Sequence, residues 1–94
     1  MYEKEAQLIR SMMASGARII YSIHAEMDRM PERNITYEDV KAVLSACVVT
    51  GIRQNKLGPV WAAEGTDLDD RFLRIPVAVK ELRGTIIVVS AIEL

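Results

Sequence analysis

The sequence predicts an α+β fold, with two or three N-terminal helices packed on a mostly antiparallel four-stranded sheet in two layers. Three observations carry that reading. Apolar residues recur at helical spacing as far as Cys47 and alternate beyond it. The run Thr85–Ile92 is apolar on both faces, as a central strand covered on each side would be. The connections between the alternating stretches are about four to six residues long, too short for the crossover helices of a doubly wound sheet.

Composition sets the limits. At 94 residues the chain is one domain. A hydrophobic fraction of 50% with a net charge of −1 supports a folded core rather than disorder. With Cys47 as the single cysteine there is no internal disulfide. Together with an N-terminus (MYEKEAQLIR) lacking the pattern of a signal peptide, this leads us to expect a cytoplasmic protein. No apolar run approaches the roughly 20 residues of a membrane helix, so no membrane partner is expected. The acidic balance counts against gripping nucleic acid by bulk charge. Residues 1–34 carry five basic and five acidic groups and residues 35–94 seven and eight, so any anion-binding patch must be assembled by folding.

Residues 2–14 form an amphipathic helix. Ala6, Ile9 and Met13 share a face that Leu8 and Met12 widen, and Glu3 and Glu5 favour the positive end of its dipole. Gly16 suits a left-handed ending. Arg18–Tyr21 reads as a brief extended segment, at most an edge strand. Ser22 caps a helix that Pro31 stops at Met30, because proline lacks an amide donor and disfavours helix before it. Thr36 and Asp39 form a capping box for the next helix, whose face carries Val40, Val43, Leu44 and Cys47. Strands follow over Val48–Gln54, with Gly51 marking a bulge, and over Val60–Glu64. A turn covers 55–59, and a polar connection runs from Gly65 to Asp70. Arg71–Lys80 alternates, with Leu73, Ile75, Val77 and Val79 opposite Phe72, Arg74, Ala78 and Lys80. Its Pro76 implies an edge position or a bulge. Glu81–Gly84 turns into the final strand. One face of that strand meets the helices, and the expectation for the other is a second copy in a homodimer.

Few residues carry chemistry. His24 is the only side chain whose ordinary pKa lies near neutrality; the alternative is a helix-start histidine touching Asp28. Arg29 and Arg33 offer paired donors suited to phosphate or carboxylate, or else pair with Glu26 and Glu32. Arg71 and Arg74 fall on opposite faces of their strand, so one of them can turn toward the helices. Asp67-Leu68-Asp69-Asp70 lacks the glycine and distal glutamate of a calcium loop and reads as a turn. One histidine and one cysteine make no zinc site. No metal or cofactor is expected. Cys47 belongs to the core, and Trp61 to the core or an interface.

The run Tyr21-Ser22-x-His24-Ala25, then Arg29-Met30-x-x-Arg33-x-Ile35-Thr36 and Val40, resembles bacterial domain-of-unknown-function family 4258. That family's pattern is Ser-x-His-Ala, then Arg-Met-x-x-Arg-Gly-Ile-Ser, then a valine in the next helix. Glu64-Gly65-x-Asp67-x-x-Asp70-Arg71-x-Leu73 is similar to its second half. The resemblance covers residues 18–92 and leaves residues 1–16 as a helical extension. Asn34 stands in place of the glycine, and asparagine tolerates the same left-handed backbone. The spacing from His24 to Arg29 is one residue longer than the pattern, about 100° of rotation on an α-helix.

The family is loosely similar to RelE-like ribonuclease toxins, which set helices beside an antiparallel sheet. The resemblance implies RNA as substrate, an antitoxin-like protein partner, and cleavage by the ribose hydroxyl without metal. Such chemistry needs a base, an acid and cations around the phosphate. By resemblance, His24, Arg29 and Arg33 form the catalytic set, and Arg71 and Arg74 bind phosphate. The reading from another class is a non-catalytic interaction module that docks a protein partner on its sheet or helical layer, in which the arginines are structural ion pairs and Ile87, Val89 and Ala91 belong to an interface. What separates the two is whether Arg29, Arg33 and Arg71 converge on one concave surface beside His24.

Overall fold

The computed structural model describes residues 2–56 and 58–94; Leu57, within the turn expected at 55–59, lies outside them. The chain opens with α1 (Glu3–Ala14) and β1 (Arg18–Tyr21). A helical segment follows, π-helical over His24–Arg29 and α-helical over Met30–Glu32, taken together as α2. Next come α3 (Tyr37–Ser45), β2 (Val48–Asn55), β3 (Gly58–Thr66) and β4 (Phe72–Lys80). A 3₁₀ turn (Glu81–Arg83) leads to β5 (Thr85–Val88) and β6 (Ile92–Glu93). The strand order is β1-β5-β4-β3-β2, with β6 also on β4. The pairing of β1 with β5 is parallel, and the others are antiparallel.

The expected α+β architecture with a mostly antiparallel sheet is what forms. The expected four strands become six among the described residues. Arg18–Tyr21 is a true edge strand, reached by β5 only after the chain has crossed the helices. The final apolar run, expected as one strand over Thr85–Ile92, is interrupted between Val88 and Ile92.

Pro76 explains the interruption. It sits inside β4, an interior strand, opposite Ala62 of β3. Its carbonyl accepts a hydrogen bond from the Val89 amide at 2.9 Å. In an antiparallel pair the return bond would run from its own amide to the Val89 carbonyl, and proline has no amide hydrogen. The Ser22 hydroxyl donates to that carbonyl instead, at 2.8 Å. The register then slips by one: Val77 faces Val88, while Arg74 faces Ile92. Of the two positions that Pro76 implied, the bulge is realised and the edge is not. The other bulge expected, at Gly51, lies between Val49 and Ile52.

The helices follow local rules, with one exception. Gly16 ends α1 at φ +79°. Thr36 and Asp39 close the capping box on α3 in both directions, at 2.9 and 3.1 Å. The Ser22 hydroxyl accepts from the Ala25 amide at 3.0 Å, the cap expected of it. The exception is Pro31, which does not stop the helix at Met30, since α2 continues to Glu32. The turn before it is widened, with the Met30 amide donating to the Ala25 carbonyl five residues back. A π-turn of this kind alters the ladder at which proline would otherwise clash.

All the helices lie on one face of the sheet. Ile9, Val40, Val43, Leu44 and Cys47 meet Ala63, Leu73, Ile75, Val77, Ile86 and Val88 there, each 0% exposed. Each large aliphatic side chain so buried contributes about 1.5–3 kcal/mol. Gly65 lets α3 approach β3 closely, because a Cβ at that position would meet the Val43 carbonyl at 3.4 Å.

Candidate functional site

The first of two candidate regions is the outer surface of α2. The π-turn brings His24 and Arg29, five residues apart, onto one side of the helix. The Arg29 Nε donates to His24 Nε2 at 3.2 Å, a contact five residues apart. On the other side, His24 Nδ1 lies 3.5 Å from Asp28, and Arg29 Nη1 lies 3.9 Å from Glu32. The histidine, the arginine and both acids are exposed, as is Arg33. The imidazole is thus flanked by a cation at one nitrogen and an anion at the other. The nearby hollow along α2 is lined by Glu26, Met30, Pro31 and residues 34–37, without His24, Arg29 or Arg33.

Arg71 does not join this cluster. It leaves the start of β4 toward the helical layer, the option open to one of the two strand arginines. Its Nε donates to Asp67 at 2.7 Å, and its Nη2 lies 3.5 Å from Asp39. Its remaining donors reach the backbone carbonyls of Arg33 and Asn34. Asn34 takes φ +55°, a left-handed backbone that asparagine tolerates better than most residues. Arg71 therefore meets the backbone of the arginine it was expected to join at a phosphate. Its guanidinium fastens the α2–α3 turn to the β3–β4 connection.

Burial works against the charge of Asp67. The amides of Arg71 and Asp69 and the Arg71 guanidinium outweigh it and hold the carboxyl below its ordinary range. Asp39, Asp67 and Asp69 offer carboxylate oxygens within 4.8 Å of one another. The first two already accept bonds from Arg71 and from backbone amides of Leu68, Asp69 and Arg71. The stretch Asp67–Asp70 makes the expected Asx turn, with the Asp69 amide on the Asp67 carboxylate, whereas Asp39 belongs to α3.

The second region is the face of the sheet that carries no helix. Arg74 lies there, on the opposite side from Arg71, and its Nε donates to the buried Glu64 at 2.6 Å. The Thr50 hydroxyl donates to the same carboxylate at 2.8 Å. Around this pair runs a trough of about 350 Å³, lined by residues 50–53 of β2, Val60 and Ala62 of β3, Arg74 and Pro76 of β4, and Ile92. A solvated sheet face ordinarily alternates to polar side chains. Here Ile20, Val48, Phe72 and Ile92 stand 39–51% exposed, and Ile87 lies beside Ile20 in the pairing. Apolar side chains from β1, β2, β4 and β6 thus share this face with the Arg74–Glu64 pair. Its acid and base are tied to each other, and the hydroxyl beside them, that of Thr50, is bonded to the same acid.

Three features escaped the sequence reading. Asp39 reaches Arg71 across 32 residues of chain. Tyr21 of β1 packs on Tyr37 of α3, with ring centroids 4.8 Å apart. Burial, followed by the neighbouring Tyr37, Glu38 and Glu26, pushes the Tyr21 phenol up to about 12. The uncovered face was anticipated only through the two-sided apolarity of Thr85–Ile92. No helix among the described residues is long and apolar enough to cross a membrane. No family model matches the chain, and no curated protein or solved structure is significantly similar to it.

Proposed function

We propose that the protein is a non-catalytic interaction module that docks a protein partner on the uncovered face of its sheet. The observation that carries this reading is an aliphatic surface on a face that the chain's own helices leave open. Large exposed apolar surface bordered by polar residues marks interaction sites, and Ile20, Val48, Phe72 and Ile92 are all exposed on this face. The arginines add support, because they disperse. Arg29 turns to His24, Arg71 to the Asp39–Asp67 hub, and Arg74 to Glu64 on the far side of the sheet.

A second reading, the RelE-like one with RNA as substrate, keeps one observation in its favour. The π-turn sets His24 and Arg29 in contact, with Arg33 exposed nearby, and π-turns recur at functional sites. A direct assay separates the two. Labelled RNA is incubated with wild type and with the triple variant His24→Ala, Arg29→Ala, Arg33→Ala, in the presence of a chelator. The interaction reading predicts intact RNA in both. Cleavage by wild type that the variant abolishes would establish the ribonuclease reading in its place.

A further inference from the structure

We infer that the segment docking on the open sheet face is acidic and aliphatic, a conclusion that rests on the interaction reading above. Charge segregates in three dimensions where it does not along the chain. Strand alternation and the pairing registers put Arg18, Arg53, Arg74 and Lys80 on this face, against Glu64 as its acidic side chain among the described residues. The whole protein is net −1, so the face is basic on an otherwise acidic molecule. Glu64 and Arg74 cancel at the centre, while Arg18 and Arg53 are exposed at opposite edges of the sheet. The result is an aliphatic floor between cationic borders.

This pattern selects the class of partner. A second copy would bring the same excess of positive charge onto itself, and like charges across an interface oppose association. Single-stranded nucleic acid would meet the cations but find little to stack on, since Phe72 is the one aromatic side chain on this face among the described residues. Binding of unpaired bases depends on such platforms. Apolar side chains on the partner fit the exposed Ile20, Val48, Phe72 and Ile92, and carboxylates flanking them fit Arg18 and Arg53.

The test is selection of short random peptides displayed on phage against the intact chain. Enriched sequences are then synthesised, and their binding is measured by fluorescence anisotropy. The targets are wild type, Arg18→Glu, Arg53→Glu and Ile20→Asp, each checked for folding by circular dichroism. All three sites are exposed, so the fold tolerates the changes. The expected result is a set of peptides rich in Asp or Glu with Leu, Ile or Val. Each charge reversal should weaken binding on the order of fivefold at low salt, less at high salt, and Ile20→Asp should remove most of it. Peptides without acidic bias, indifferent to both reversals but lost with Ile20→Asp, would overturn the acidic partner and leave the interaction reading standing. Peptides indifferent to Ile20→Asp would overturn both. So would a labelled single-stranded RNA whose binding depended on Arg18 and Arg53 while no peptide bound.

Discussion

Asp67 anchors Arg71, the residue that fastens two distant parts of the chain, and its chemistry gives a prediction in pH. Its carboxylate accepts from the Arg71 side chain and from the Asp69 and Arg71 amides at 2.7–2.9 Å. Together these hold its folded pKa below the unfolded value of about 3.9. A depressed carboxyl contributes stability that is present above the unfolded pKa and is lost as pH falls through the folded one. Urea midpoints should therefore decline as pH is lowered from about 5 toward 2. In Asp67→Asn the decline should be shallower, and the variant should be less stable than wild type at neutral pH. Equal pH slopes for the two proteins would show that the hub adds nothing. This hub was only half legible in the sequence. Asp67 was read correctly as a turn residue from its neighbours, because an Asx turn is local. The bonds of Arg71 to Asp39 and to the carbonyls of Arg33 and Asn34 were not legible, because those partners lie more than 30 residues away.

At the level of elements, the same divide between local and non-local causes recurs. The α3 helix, its capping box and its buried face were readable because each signal lies within one or two turns. The bulge at Gly51 was readable for the same reason. The continuation of α2 through Pro31 was not, since proline normally ends a helix and a π-turn leaves no composition of its own. Nor was the break after Val88, which arises only when Pro76 is brought opposite Val89. Ser22 then serves two elements at once, accepting from the Ala25 amide and donating to the Val89 carbonyl. Ser22→Ala should uncap α2 and orphan a part-buried carbonyl, lowering stability by about 1–3 kcal/mol. Ser22→Thr keeps the hydroxyl and should recover most of that loss. The comparison is read from urea unfolding midpoints, and an alanine variant as stable as wild type would contradict this role.

For the whole molecule, what matters is that the sheet has two faces and the chain covers one. The helical layer is complete, with Ile9, Leu44, Ile75 and Ile86 each 0% exposed. The far face carries aliphatic side chains where water would favour polar ones. The sequence contained this in outline, since a run apolar on both faces asks for cover on both. It could not say that the helices among the described residues would all lie on one face, or that Arg18, Arg53 and Lys80 would fall on the other, because register and strand order decide both. The His24 cluster, by contrast, was the most visible group in the sequence, and it lies on an exposed helix surface. Visibility in the sequence followed motif resemblance, whereas the surface best shaped for binding came from topology.

The most direct measurement is site-specific photocrosslinking in growing cells. A photoreactive amino acid is placed at Ile20 on the open face, at His24 on α2, or at Gln7 on the exposed side of α1. The interaction account predicts a discrete adduct from position 20 that protease destroys and nuclease leaves unchanged, with none from positions 7 or 24. A nuclease-sensitive adduct from position 24, with nothing from position 20, would contradict it and return function to the His24 cluster.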